Sequence, residues 1–172
     1  MLAKLLARLF LAITSREMFI ALGLGLAALS VPMMMEQWRF IRDYAPGMAS
    51  ETLHEMEGIV DGLAGILVAA GVFMESRDTI RKMATSDYRE TPVEHRLNEV
   101  AHQNGAGILL IGLLMEIGTL LIGLPTRVMN TKRFEREIYI ACLVCTVVTL
   151  IILYDFVKDY LLTYRMKRSL EV

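Results

Sequence analysis

The sequence predicts an all-α membrane protein, with four transmembrane helices in an up-down bundle preceded by a short N-terminal amphipathic interfacial helix. Three observations carry that prediction. Hydrophobic residues make up 55% of the 172-residue chain, and its mean hydropathy is +0.46, too apolar for an ordinary water-soluble domain. The apolar residues gather into four stretches, each long enough at 1.5 Å per residue to cross a hydrocarbon layer about 30 Å thick. The basic residues sit between and beyond those stretches, where helix ends reach water. The chain is therefore expected to form one integral membrane domain over 1–172. The amphipathic helix covers about 2–13, and the spans about 15–37, 54–77, 101–124 and 137–160.

In residues 2–13, Leu2, Leu5, Leu6, Leu9, Phe10 and Ile13 share one side of a helical wheel, while Lys4 and Arg8 take the other. This is the pattern of a cationic helix lying in the membrane interface. Thr14 and Glu17 fit a T-x-x-E capping box that opens the first span. Met18 to Met35 carries no charge, and Pro32 is expected to kink its far end. Trp38, Tyr44, Pro46 and Gly47 mark a loop at headgroup level.

The second span holds an aspartate, Asp61, inside its apolar run. A stripe of His54, Glu57, Gly58, Asp61, Gly65, Val68, Val72 and Glu75 is polar at its ends and small in its middle, so it is expected to face protein instead of lipid. Arg77 to Arg96 is a polar connection that continues the helix briefly and then turns near Pro92. The third span ends before Pro125 and has Glu116 as its only charge after His102. The fourth is uncharged from Ile138 to Tyr154, and Asp155, Lys158 and Asp159 extend it. Gly58, Gly62 and Gly65 are expected to meet Gly105, Gly107 and Gly112 where the second and third spans pack closely, and the same small residues suit a dimer contact.

Placing both termini in the cytoplasm puts twelve of the eighteen basic residues inside, as in a bacterial inner-membrane protein. A net charge of −1 and the lack of a basic stripe with interleaved aromatics speak against a nucleic-acid partner. The expected partners are the lipid bilayer and a second copy or a larger membrane complex. Glycine-rich nucleotide loops, nucleophilic triads and zinc-finger spacings are missing from the sequence, which argues against a soluble type of active site.

The polar residues of an up-down bundle sort into two layers. On the inner side, Glu99 and His102 form an E-x-x-H pair, a spacing that places carboxylate and imidazole one turn apart and recurs in di-metal carboxylate bundles. With Glu75 and Asp155 they make a candidate site for a divalent metal ion, the one cofactor the sequence suggests. On the outer side, His54 and Glu57 form the reverse pair and are candidate metal ligands too. Asp61 and Glu116 lie at similar estimated depth, so they are expected to approach each other and to form a proton or cation path. Cys142-Leu-Val-Cys145 resembles, in those two residues alone, the cysteine pair of the vitamin K epoxide reductase family of membrane thiol enzymes. Those enzymes relay electrons through a second cysteine pair that this chain lacks, so its two thiols are expected to be packing residues.

The expected function is that of a small polytopic membrane protein that binds or passes a proton or divalent cation through its acidic, His-bearing interior. The alternative is a noncatalytic accessory or scaffold subunit of a larger membrane complex.

Overall fold

A computed structural model describes residues 2–45, 50–84, 91–123 and 134–170, with side chains described from Leu6 to Thr163 apart from residues 7, 8 and 50. Among the described residues six helices follow one another: α1 (Leu2–Ile13), α2 (Arg16–Asp43), α3 (Ser50–Glu75), α4 (Arg77–Ala84), α5 (Pro92–Gly123) and α6 (Glu135–Leu170). Four of them, α2, α3, α5 and α6, are long and apolar enough to cross a membrane. They form the up-down bundle with α1 ahead of it.

Around the bundle α3 packs most extensively against α5, α5 against α6, and α6 against α2, while α2 touches α3 least. The short helices α1 and α4 lie against each other at the end where α2 and α5 begin and α3 finishes.

The helices outlast the apolar runs because polar residues continue them into water. On α2, Arg39 pairs with Glu36 and Arg42 with Asp43, each at 2.8 Å on the exposed surface, so the helix runs to Asp43 instead of about 37. Pro32 lies inside α2, which continues past it. The start of α2 differs from expectation by one residue. Ser15 is the N-cap, accepting from the Met18 amide at 3.3 Å. Thr14 is buried, and its hydroxyl donates back to the Phe10 carbonyl at 2.8 Å, finishing α1 instead of opening α2.

In the connection after α3 the chain is helical from Arg77 to Ala84, as expected, and the larger difference is that α5 begins at Pro92, not near residue 101. Thr91, whose hydroxyl accepts from the Glu94 amide at 3.2 Å, caps it, and Pro92 occupies a first-turn position that needs no amide hydrogen.

The middle of the bundle is apolar, with Leu26, Leu63, Leu67, Ile108, Met115 and Leu153 all buried. Several buried hydroxyls there bond back to their own helices. Ser30 donates to the Leu26 carbonyl at 2.8 Å, Thr146 to Cys142 at 3.0 Å and Thr149 to Cys145 at 3.0 Å. A hydroxyl satisfied within its own helix needs no water partner.

At the end formed by the start of α3 and of α6, aromatic rings fasten the helices. Phe40 meets Tyr139 edge-on at 4.8 Å and Tyr44 at 5.7 Å. Tyr44 donates to Glu135 at 3.3 Å and Tyr139 to the Leu53 carbonyl at 3.4 Å. Burial, then the charge of the neighbouring Glu135 carboxylate, pushes the Tyr44 phenol up from its ordinary pKa.

Candidate functional site

Among the described residues three places stand out for their polar chemistry. The first is a cleft of about 600 Å³ between the end of α3, α4 and the first half of α5. It is lined by Glu75, Ser76, Asp78, Thr79, Lys82, His95, Asn98, Glu99 and His102. Glu75, Glu99 and His102, expected together as metal ligands, thus share one cleft, with His102 Nδ1 standing 4.0 Å from Glu75 Oε1. His95, Glu99 and His102 fall on one face of α5, because offsets of four and seven residues return close to the same angle on a helix. Asp155 is a correction. It lies exposed on α6 and is not among the residues that line this cleft.

His54 and Glu57 are neighbours at the other end, with Nδ1 and Oε2 3.3 Å apart and the histidine largely in the open. Among the described residues no group of three or more His, Cys, Asp or Glu side chains is arranged to hold a metal ion, at either end.

The second place is the outward face of α3. Most of its stripe turns away from the bundle, against expectation, while Val68 meets α5 at Gly112. Gly58, Asp61, Gly65 and Val72 are all exposed, and a Cβ added at Gly58, Gly62 or Gly65 would meet nothing within 4 Å. Gly105 and Gly112 do bring α5 against α3, as expected, but they meet the helix near Gly71 and Val68 and not at Gly58, Gly62 or Gly65. A Cβ on Gly71 would come within 2.5 Å of the Leu109 backbone nitrogen, and one on Gly105 within 2.8 Å of the Glu75 nitrogen. One on Gly112 would come within 2.9 Å of the Val68 nitrogen.

Asp61 and Glu116 both lie next to Thr119. Across the α3–α5 boundary Asp61 meets Thr119, whose hydroxyl lies 3.3 Å from its carboxylate. The same hydroxyl lies 2.9 Å from the Glu116 backbone carbonyl. A hydroxyl has one proton to donate, and the carbonyl is the nearer acceptor, so Asp61 is left poorly served on an exposed face of a span. Glu116 is half-buried one turn away.

The third place was not anticipated. Three guanidinium groups converge on the single carboxylate of Glu94: Arg16 at 2.8 Å, Arg81 at 2.9 Å and Arg77 at 3.2 Å. Arg77 is fully buried. It donates also to Asn98, which in turn donates to Asp78 at 3.1 Å, and Lys82 pairs with Asp78. The Arg77 guanidinium stands 5.3 Å from the centre of the Phe19 ring and 6.0 Å from that of Tyr160, so it closes the aromatic floor of the bundle as well. The signal for this hub was present in the sequence as Thr91-Pro92-Val93-Glu94, a second T-x-x-E box with proline at the first helical position.

Cys142 is buried and Cys145 half-buried, both as free thiols. The Cys142 sulfur packs where a side chain on Gly118 of α5 would come within 3.1 Å.

No protein family, curated protein or solved structure matches the chain.

Proposed function

We propose that the protein is a noncatalytic accessory or scaffold subunit of a membrane complex, binding another transmembrane helix through the outward face of α3. One observation carries the reading: Asp61 is exposed within a membrane-crossing helix, among glycines with open space before them. A carboxyl group turned toward hydrocarbon is costly and needs a partner. Glycine at Gly58, Gly62 and Gly65 lets a second backbone approach closely enough to bring one. The packed apolar middle of the bundle, from Leu26 to Leu153, favours this over passage of an ion through the centre.

Cysteine placed at Gly62 and cross-linked in native membranes tests it. A defined product larger than the monomer is expected, lost in a Gly58→Leu variant of the same protein. A Gly62→Cys chain that remains monomeric under cross-linking defeats the reading.

A second reading is a protein that binds or passes a proton or divalent cation. Its support is that Glu75, Glu99 and His102 line one cleft. It requires that metal measured by elemental analysis after a metal-replete preparation fall in both Glu99→Gln and His102→Ala, since losing one ligand leaves coordination incomplete. Protein that stays metal-free on titration rejects it. For either reading, the basic residues gathered around α1, α4 and the end of α6 favour a bacterial inner membrane with both termini in the cytoplasm. A reporter fused after Val172 should then be active on the cytoplasmic side only.

A further inference from the structure

We propose that the helix docking on the outward face of α3 belongs to a different chain and carries a lysine or arginine at the depth of Asp61. The proposal rests on the scaffold reading of that face and names the chemistry of its partner. Asp61 lies about 16 Å from the start of α3 and about 21 Å from its end at 1.5 Å per residue, and so in the middle of a membrane-crossing helix. The exposed residues that accompany it along the span, Gly58, Gly62, Gly65, Ile66, Ala69 and Val72, are all uncharged.

Neither α3 nor the helix beside it supplies a counter-charge. α3 contains no lysine or arginine, and α5 has none after Arg96. Among the described residues the one side chain bonded to Asp61 is that of Thr119. Glu116, one turn before Thr119, is half-buried and of the same sign as Asp61. A hydroxyl is thus already beside the carboxylate, and what it lacks is a positive charge. Hydrogen bonds to a charged donor are about twice as strong as neutral ones.

A second copy of this chain is a poorer occupant of the face. Copies inserted with one orientation present parallel α3 helices, and a two-fold contact through this face sets each residue against itself. Two Asp61 carboxylates then meet at one depth and repel unless one of them holds a proton. A basic side chain on another helix has the converse problem, being costly in hydrocarbon without an acid beside it. Pairing the two removes both penalties. Gly58 and Gly62, spaced G-x-x-x-G with open space before them, let the backbones approach. The long stem of a lysine or arginine then carries its charge across to the short aspartate.

The test uses the full Gly62→Cys chain cross-linked in native membranes, with the product identified by peptide mass spectrometry. The expected product joins this chain to a different membrane protein, through a span that has a lysine or arginine within one turn of the cross-linked position. Asp61→Asn still offers that cation a carbonyl oxygen, so charge reversal is the sharper variant. Asp61→Lys should lower the yield at least about tenfold, because it leaves two like charges facing each other in hydrocarbon. Changing the partner's basic residue to aspartate at the same time should restore it. If Asp61→Lys does not insert, replacing the partner's basic residue by leucine opposite the unaltered Asp61 decides, with the same loss expected. A product made of two copies of this chain, a partner span without a basic residue, a yield that these changes leave undiminished, or a charge swap that fails to restore it overturns the proposal while leaving α3 as a docking face. No product at all from Gly62→Cys defeats the scaffold reading itself, and the proposal with it.

Discussion

The two faces of α3 use the same residue to opposite ends. On the face toward α5, Gly71 lies so close to the backbone of Leu109 that a methyl group has no room. On the outward face, Gly58, Gly62 and Gly65 have nothing before them. Glycine lowers the steric cost of approach wherever it occurs, but composition does not say whether the approach has been used within the chain. Here one glycine face is occupied and the other stands open beside a carboxyl group. The difference separates what holds the bundle together from what is offered to a partner.

The comparison is broken most severely at Gly71. Gly71→Leu should cost about 3 kcal/mol or prevent folding, because the obstructing atoms belong to the Leu109 backbone and cannot rotate away. Loss of melting cooperativity in detergent is the expected sign. An intermediate loss, about 1–2 kcal/mol, is expected for Gly112→Ala, where the added Cβ comes within 2.9 Å of both a Val68 methyl and the Val68 nitrogen. Gly62→Ala should move stability the other way, by about 0.5 kcal/mol in favour of the fold, since the position is open and alanine has less freedom to lose. An equal loss of stability at Gly62 and Gly71 would erase the distinction between the faces.

Asp61 sharpens it further. Asp61→Asn keeps size and hydrogen bonding, so the scaffold reading expects folding and assembly both to persist, whereas Asp61→Leu should leave melting within about 0.5 kcal/mol of wild type yet release the partner. Unchanged assembly in Asp61→Leu, measured by the Gly62→Cys cross-link, would leave the carboxyl without a role at this face.

Much of the fold was legible because a bilayer demands long apolar helices, and Met18 to Met35 or Ile138 to Tyr154 admit no other reading. The orientation of each helix about its axis was less so. A helical wheel shows that Gly58 and Gly71 lie on different faces of α3, but not which of them a neighbour covers. The stripe with Asp61 was expected to face protein, and within the chain most of it faces outward. Glu75, Glu99 and His102 line one cleft and Asp155, counted to the same end, does not line it, because counting residues gives depth but carries no angle. The Glu94 hub was missed for a different reason. Its residues come from segments that look like polar connection, and ion pairs Arg16–Glu94 and Arg77–Glu94 join positions 78 and 17 residues apart, which no local pattern links.

The burial of Arg77 bears on how the chain is made. During synthesis α3 and α4 emerge before α5, so Arg77 must wait for Glu94 and Asn98, 17 and 21 residues further on. Until they arrive, a guanidinium that is fully enclosed in the finished bundle lacks both of these partners, and an uncovered charge of that kind stays hydrated. An unfinished bundle therefore exposes a charge that the finished one encloses. A chain stopped after Ala84 is therefore expected to be cleared by membrane proteases faster than one carried through to Gly123, a difference that pulse-chase labelling would measure.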